Sequence, residues 1–140
     1  MACPGLNTVE LLFRLISALF RRSKKFEQLD DVQYAIEYLR YLRGLPLDSF
    51  DIPRNKVIEL LIEALCFHVQ LTEDATRNME EVVALCRELL ASDISTDFPA
   101  AAFSSLYPAI HTELFRGRRG QLLDEAIGFL RDAVKVCPPH

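Results

Sequence analysis

Apolar residues recur at three- and four-residue spacing in six successive runs along the chain, and that period predicts six amphipathic helices, each with one buried side. The first covers roughly Leu6 to Arg21, with Val9, Leu12, Phe13, Ile16, Leu19 and Phe20 on one side and Glu10, Arg14, Ser17 and Arg21 on the other. The second runs from about Leu29 to Arg43. Asp30 and Asp31 suit its N-terminus, and Gly44 with Pro46 beyond it supplies the stop. The third is expected from Pro53, which a first turn tolerates, to about Gln70, with Ile58, Leu61, Ile62, Leu65 and Val69 facing inward. The fourth is expected from Asn78, as its cap, to Ala91. The fifth covers about Phe98 to Arg116 and contains Pro108, which should kink it or mark its true start. Gly117 and Gly120 supply a turn, and the sixth helix runs from Gln121 to Val136, stopped by Pro138 and Pro139. No alternating strand pattern of useful length occurs and the connections are short, so an all-α fold follows.

The even-numbered helices can be laid over one another. Ala35-Ile36-Glu37-Tyr38-Leu39-Arg40 aligns with Val82-Val83-Ala84-Leu85-Cys86-Arg87 and with Ala126-Ile127-Gly128-Phe129-Leu130-Arg131, at offsets of 47 and 44 residues. The match includes an arginine at the same place in each block. Ala18-Leu19-Phe20, Leu65-Cys66-Phe67 and Glu113-Leu114-Phe115 precede those blocks in turn. The chain thus resolves into three helix pairs, at about 6–47, 53–94 and 98–138, within one domain spanning 1–140. A pair left alone exposes an apolar side, and stacking on the next pair buries it, which is the logic of a solenoid.

The last pair resembles a tetratricopeptide repeat. Asp124-Glu125-Ala126-Ile127, then Ala133 and Pro138, are similar to that repeat's second helix, where small residues seven apart allow close approach and a proline ends the unit. The tail Val136-Cys137-Pro138-Pro139-His140 resembles the junction in long-period tetratricopeptide arrays of fungal proteins, many of which carry a caspase-like CHAT peptidase domain. The first pair departs from the pattern with Leu42 after Ala35, and the second with Val82 and Leu89, so the array is a divergent, TPR-like one. The resemblance implies a right-handed superhelix (α-solenoid) of three antiparallel helix pairs, and a portion of a longer protein. It also implies a non-catalytic scaffold that holds a protein or peptide in a concave groove lined by the first helix of each pair. Carried onto this chain, the groove would present Glu10, Arg14 and Ser17 from helix one, Glu59, Glu63 and Gln70 from helix three, and Ser104, Tyr107 and His111 from helix five. The alternative is a structural or oligomerisation segment of a larger regulatory protein of the CHAT-peptidase kind. The terminal helices lack an obvious polar outer cap, so self-association through the ends is also expected.

At 140 residues, half hydrophobic and a quarter charged, the composition is that of a globular chain and excludes wholesale disorder. A formal charge of −4 argues against a protein devoted to nucleic acid. The longest run without an acidic or basic side chain, Phe98 to Thr112, is fifteen residues and too polar to span a bilayer. Cys3, Cys66, Cys86 and Cys137 have no paired spacing, which points to free thiols in a reducing, cytoplasmic setting.

Candidate chemistry is sparse. Cys66 and His68 lie two apart on a helix and point about 200° from each other, so a core thiol and a surface imidazole are expected rather than a metal site. Cys137 and His140 stand at the chain end, a poor place for a nucleophilic pair. Asp30/Asp31, Glu80/Glu81 and Asp124/Glu125 are adjacent acids, each assigned to a helix first turn, where the helix dipole accounts for them. No phosphate loop, nucleophile elbow or zinc motif occurs, and no cofactor or metal is expected. Two basic clusters, Arg21-Arg22 with Lys24-Lys25 and Arg116 with Arg118-Arg119, are assigned to equivalent loops. There they act as solvated turn residues, or as a positive rim for an anionic partner.

Overall fold

In a computed structural model, which describes residues 6–50, 52–73, 76–91, 100–118 and 120–136, the expected period becomes six α-helices, with no strand among the described residues. They are α1 Leu6–Phe26, α2 Leu29–Arg43, α3 Arg54–Leu71, α4 Thr76–Ala91, α5 Ala100–Phe115 and α6 Gln121–Val136, with a 3-10 turn over Leu47–Phe50. The all-α class is therefore as expected.

The third helix organises the rest. Val57, Ile58, Leu61, Ile62, Leu65 and Val69 form its apolar stripe, and Ala64 and Cys66 widen it. At about 3.6 residues per turn these buried positions span roughly 200° of the circumference, too wide for one neighbour to cover. Three neighbours do so, since α3 packs against α2, α4 and α5. Helix α1 packs on α2, and α6 packs on α5 and reaches α4. Leu39, Leu42, Met79, Leu85, Leu89 and Leu106 complete one continuous core with the α3 stripe.

Several boundaries differ from expectation for local reasons. Helix α1 does not stop at Arg21 but continues to Phe26, so Arg21, Arg22, Lys24 and Lys25 lie on a helix rather than in a loop. Ser23 faces inward there and its hydroxyl donates to the Phe20 carbonyl at 2.8 Å. The chain then turns at Glu27, whose φ of 53° is the left-handed conformation that ends many helices. Gly44, by contrast, keeps a right-handed φ of −80°, so the exit from α2 uses no glycine freedom and is enforced by Pro46. Pro53 is the residue before α3, in an extended conformation, rather than part of its first turn. Helix α4 begins at Thr76, which places Asn78 inside it and removes its capping role.

Helix α5 passes through Pro108 unbroken. Ala102, Phe103 and Leu106 before the proline, and Ala109 and Ile110 after it, are all buried, so packing on both sides holds a helix that backbone preference alone would interrupt.

Truncating the fully buried Leu61 to Ala should remove about 2–5 kcal/mol from the unfolding free energy, whereas Leu11→Ala, at a side chain 65% exposed, should change it by less than about 0.5 kcal/mol. Urea unfolding followed by circular dichroism measures both.

Candidate functional site

The α1 residues at positions 10, 13, 14, 17, 18 and 21 follow helical spacing and share one side of the helix. They face the segment that enters α3. Between them lies an open cleft of about 510 Å³ lined by Glu10, Phe13, Arg14, Ser17, Ala18 and Arg21 on one wall and by Ile52, Pro53 and Lys56 on the other. Phe13, Ala18, Ile52 and Pro53 give it an apolar floor, and among the described lining residues Arg14, Arg21 and Lys56 set three cations against the carboxylate of Glu10.

Both walls are fixed. On α1, Val9 and Ile16 are buried two turns apart, and Phe20 meets Phe67 of α3 edge-to-face with centroids 6.1 Å apart. The end of α1 is tied to the start of α2 by a two-pronged ion pair, with Arg22 Nε 2.6 Å and Nη2 2.8 Å from the two oxygens of the buried Asp31. Those hydrogen bonds and the cation hold the Asp31 carboxyl below the usual carboxylate range, against the opposing effect of burial. The other wall is set by the 3-10 turn, where the Ile52 N–H donates to the Leu47 carbonyl at 3.3 Å.

The expected groove residues divide. Glu10, Arg14 and Ser17 line the cleft together, joined by Arg21 from the basic cluster. Glu59 and Glu63 are half-buried on α3 outside the cleft. Gln70 is exposed, and its amide donates to the Cys66 carbonyl at 3.3 Å. Ser104, Tyr107 and His111 form an exposed strip on α5, with the Tyr107 and His111 rings 6.1 Å apart. The cleft residues missed from sequence are Ile52, Pro53 and Lys56, because the link before α3 carries no periodic signal.

The basic clusters also divide. Arg22 is taken up by Asp31, and Lys24 sits 4.5 Å from the centroid of the Phe20 ring. Arg116 donates to the Val69 carbonyl at 2.9 Å and to the buried Glu113 at 3.1 Å. Arg118 lies 3.3 Å from the other Glu113 oxygen and bonds Thr76 Oγ1 and the Glu73 carbonyl. The second cluster therefore ties the end of α5 to the α3–α4 junction. Arg119, Cys3, Cys137 and His140 lie outside the described residues.

Several polar groups also sit differently from expectation. His68 is not a surface imidazole: it is half-buried, Nδ1 is bonded to the Asn78 amide, and Nε2 is buried with no partner among the described residues. Burial, and then the nearby Arg40 charge, favour its neutral form. It borders a polar notch of about 270 Å³ shared with Gln33, Ile36, Glu37, Arg40 and Asn78. Glu81 and Glu125 lie beyond the first turns of their helices and pair across helices instead of serving the helix dipole. Arg40 holds Glu81 with contacts of 3.1 and 2.5 Å, and Arg87 holds Glu125 in the same two-pronged manner.

Cys66 and Cys86 are buried free thiols, as expected of small core hydrophobes. Burial raises the Cys66 thiol far above its ordinary value and pushes Cys86 up to about 12, so neither is a thiolate near neutrality. Among the described residues no group of three or more His, Cys, Asp or Glu is placed to hold a metal ion, and no helix is long and apolar enough to cross a membrane. Comparison with protein-family models, with curated proteins and with solved structures finds no match to the chain.

Because the folded-state pKa of Asp31 is lowered, its ion pair contributes stability above the ordinary carboxylate range and loses it as pH falls through the lowered value. Asp31→Asn should therefore melt at a lower temperature than the unaltered chain at pH 7, and the difference should shrink as the pH falls below the ordinary carboxylate range. Thermal scans across that range check it. In a chain carrying Cys3→Ser and Cys137→Ser, dithionitrobenzoate should react with Cys66 and Cys86 at least about a hundredfold more slowly in buffer than in denaturant.

Proposed function

We propose that this chain is a non-catalytic protein-interaction module, a divergent tetratricopeptide-like right-handed solenoid of three antiparallel helix pairs, and that it binds an acidic-apolar peptide segment. The α1–α3 cleft carries the reading. It is open along its length, its floor suits an apolar side chain, and its described lining is cationic on balance. The packing of α1 with α2, α3 with α4, and α5 with α6 supports the paired arrangement, as do the contacts of α3 with α5 and of α4 with α6. The absence of catalysis is supported by the two described thiols, both held protonated in the core.

A peptide with a central Leu or Phe would place that side chain between Phe13 and Ile52, with its carboxylates toward Arg14, Arg21 and Lys56. An exposed ion pair contributes roughly 0.2–1 kcal/mol, so several rim contacts together set preference more than total affinity. The bound segment would be short and extended, and its affinity should fall with salt.

Fluorescein-labelled nonapeptides with a central Phe and zero to four flanking Asp or Glu test this by anisotropy. Affinity should rise with the number of acids, and the Arg14→Glu, Lys56→Glu chain should bind the most acidic peptide about tenfold more weakly. Affinity that is flat across the series, or indifferent to the double substitution, would refute the proposal.

A further inference from the structure

The recurring arginine of the even helices makes a recurring contact. Arg40 of α2 grips Glu81 of α4, and Arg87 of α4 grips Glu125 of α6. In the aligned blocks both arginines occupy the last position, and both glutamates stand immediately before the first. Helix α4 therefore receives an arginine on one side and offers one on the other. Six residues turn a helix through about 600°, so Glu81 and Arg87 leave it about 120° apart, toward different neighbours.

Helix α6 has the same two residues at the same separation. Glu125 takes up Arg87, but Arg131 is exposed and makes no ion pair among the described residues. The apolar positions beside it follow suit. Ile36 and Val83 are buried while their counterpart Ile127 is only partly so; Leu39 and Cys86 are buried while Leu130 is not fully; Leu42 and Leu89 are buried while Ala133 is partly open. Val134, one turn beyond Leu130 on the same side, is 75% exposed. A methyl group built at Gly128, which neighbours Arg131 on the helix surface, would meet no described atom within 4 Å. At the opposite end of the series, Tyr34 stands where Glu81 and Glu125 stand, and it is stacked on Tyr38 with ring centroids 6.5 Å apart. Among the described residues, α2 thus offers no acceptor at this place and α6 leaves its donor unused.

We infer that the flank of α6 formed by Ile127, Leu130, Arg131 and Val134 is a docking face for one further amphipathic helix of the α4 and α6 type, supplied by a partner chain. That helix carries a glutamate near its N-terminus, followed directly by a small or β-branched apolar residue, and the glutamate pairs with Arg131 as Glu125 pairs with Arg87. A second copy of this chain does not fit by repeating the stack, because the corresponding position of its α2 is Tyr34. The face shares no residue with the α1–α3 cleft and stands whether or not that cleft binds a peptide.

The probe is a stapled helical peptide with the sequence of residues 121–136, in which the glutamate equivalent to Glu125 is retained or changed to Arg, titrated against the full chain by isothermal calorimetry. The glutamate peptide should bind the unaltered chain, and Arg131→Glu should weaken it at least tenfold. The arginine peptide should recover that loss on the Arg131→Glu chain. Arg131 is exposed and unpaired among the described residues, so this variant should keep the far-ultraviolet circular dichroism and melting temperature of the parent. No binding up to 1 mM peptide, or binding insensitive to both charge changes, would overturn the inference. So would a concentration-dependent dimer of the unaltered chain that the peptide cannot displace, which would give the face to a second copy.

Discussion

Everything else in this fold rests on the burial of α3. A helix with apolar residues over roughly half its circumference is unstable in water and unstable as one half of a hairpin, because a single partner leaves part of the stripe wet. Surrounding it with α2, α4 and α5 satisfies the stripe and fixes where the remaining helices go. Helix α1 has only α2 as its main support, and α6 completes the far side against α5 and α4. The same arrangement leaves Pro53 and Lys56 at the start of α3 exposed, and the open cleft lies there, against α1.

The six helices were legible from apolar spacing because each carries its stripe over four or more turns; α2 and α6 begin and end where their caps, acids and prolines indicate. Boundaries failed where a side chain found a tertiary partner that outweighed its local preference. Arg22 prolongs α1 by reaching Asp31, and Asn78 gives up capping to bond His68. Pro108 failed as a breaker because buried neighbours on both sides impose the helix. Half of the cleft was legible, since the polar side of α1 can be read from periodicity. The other half was not, because Ile52, Pro53 and Lys56 belong to a junction whose position depends on how two distant helices pack.

Charge is used here to align helices more than to decorate them. Arg40 with Glu81, Arg43 with Glu88 and Arg87 with Glu125 all join one even helix to the next, and Arg116 and Arg118 converge on the buried Glu113. An acid in a helix first turn and an acid paired across helices look alike in sequence. The distinction lies in whether an arginine arrives about forty residues away, which the repeated blocks made visible only once the contacts were known.

Pro108 has an effect beyond its survival inside α5. Proline donates no amide hydrogen, so the carbonyl four residues earlier, on the exposed Ser104, receives no helix bond from residue 108. The two halves of α5 are therefore joined by one backbone bond fewer than those of any other helix of this length. Its later half is clamped at Glu113 by Arg116 and Arg118, while its earlier half buries Ala102, Phe103 and Leu106. Fraying from the first turn of α5 therefore meets this missing rung before it reaches the arginine clamp at Glu113.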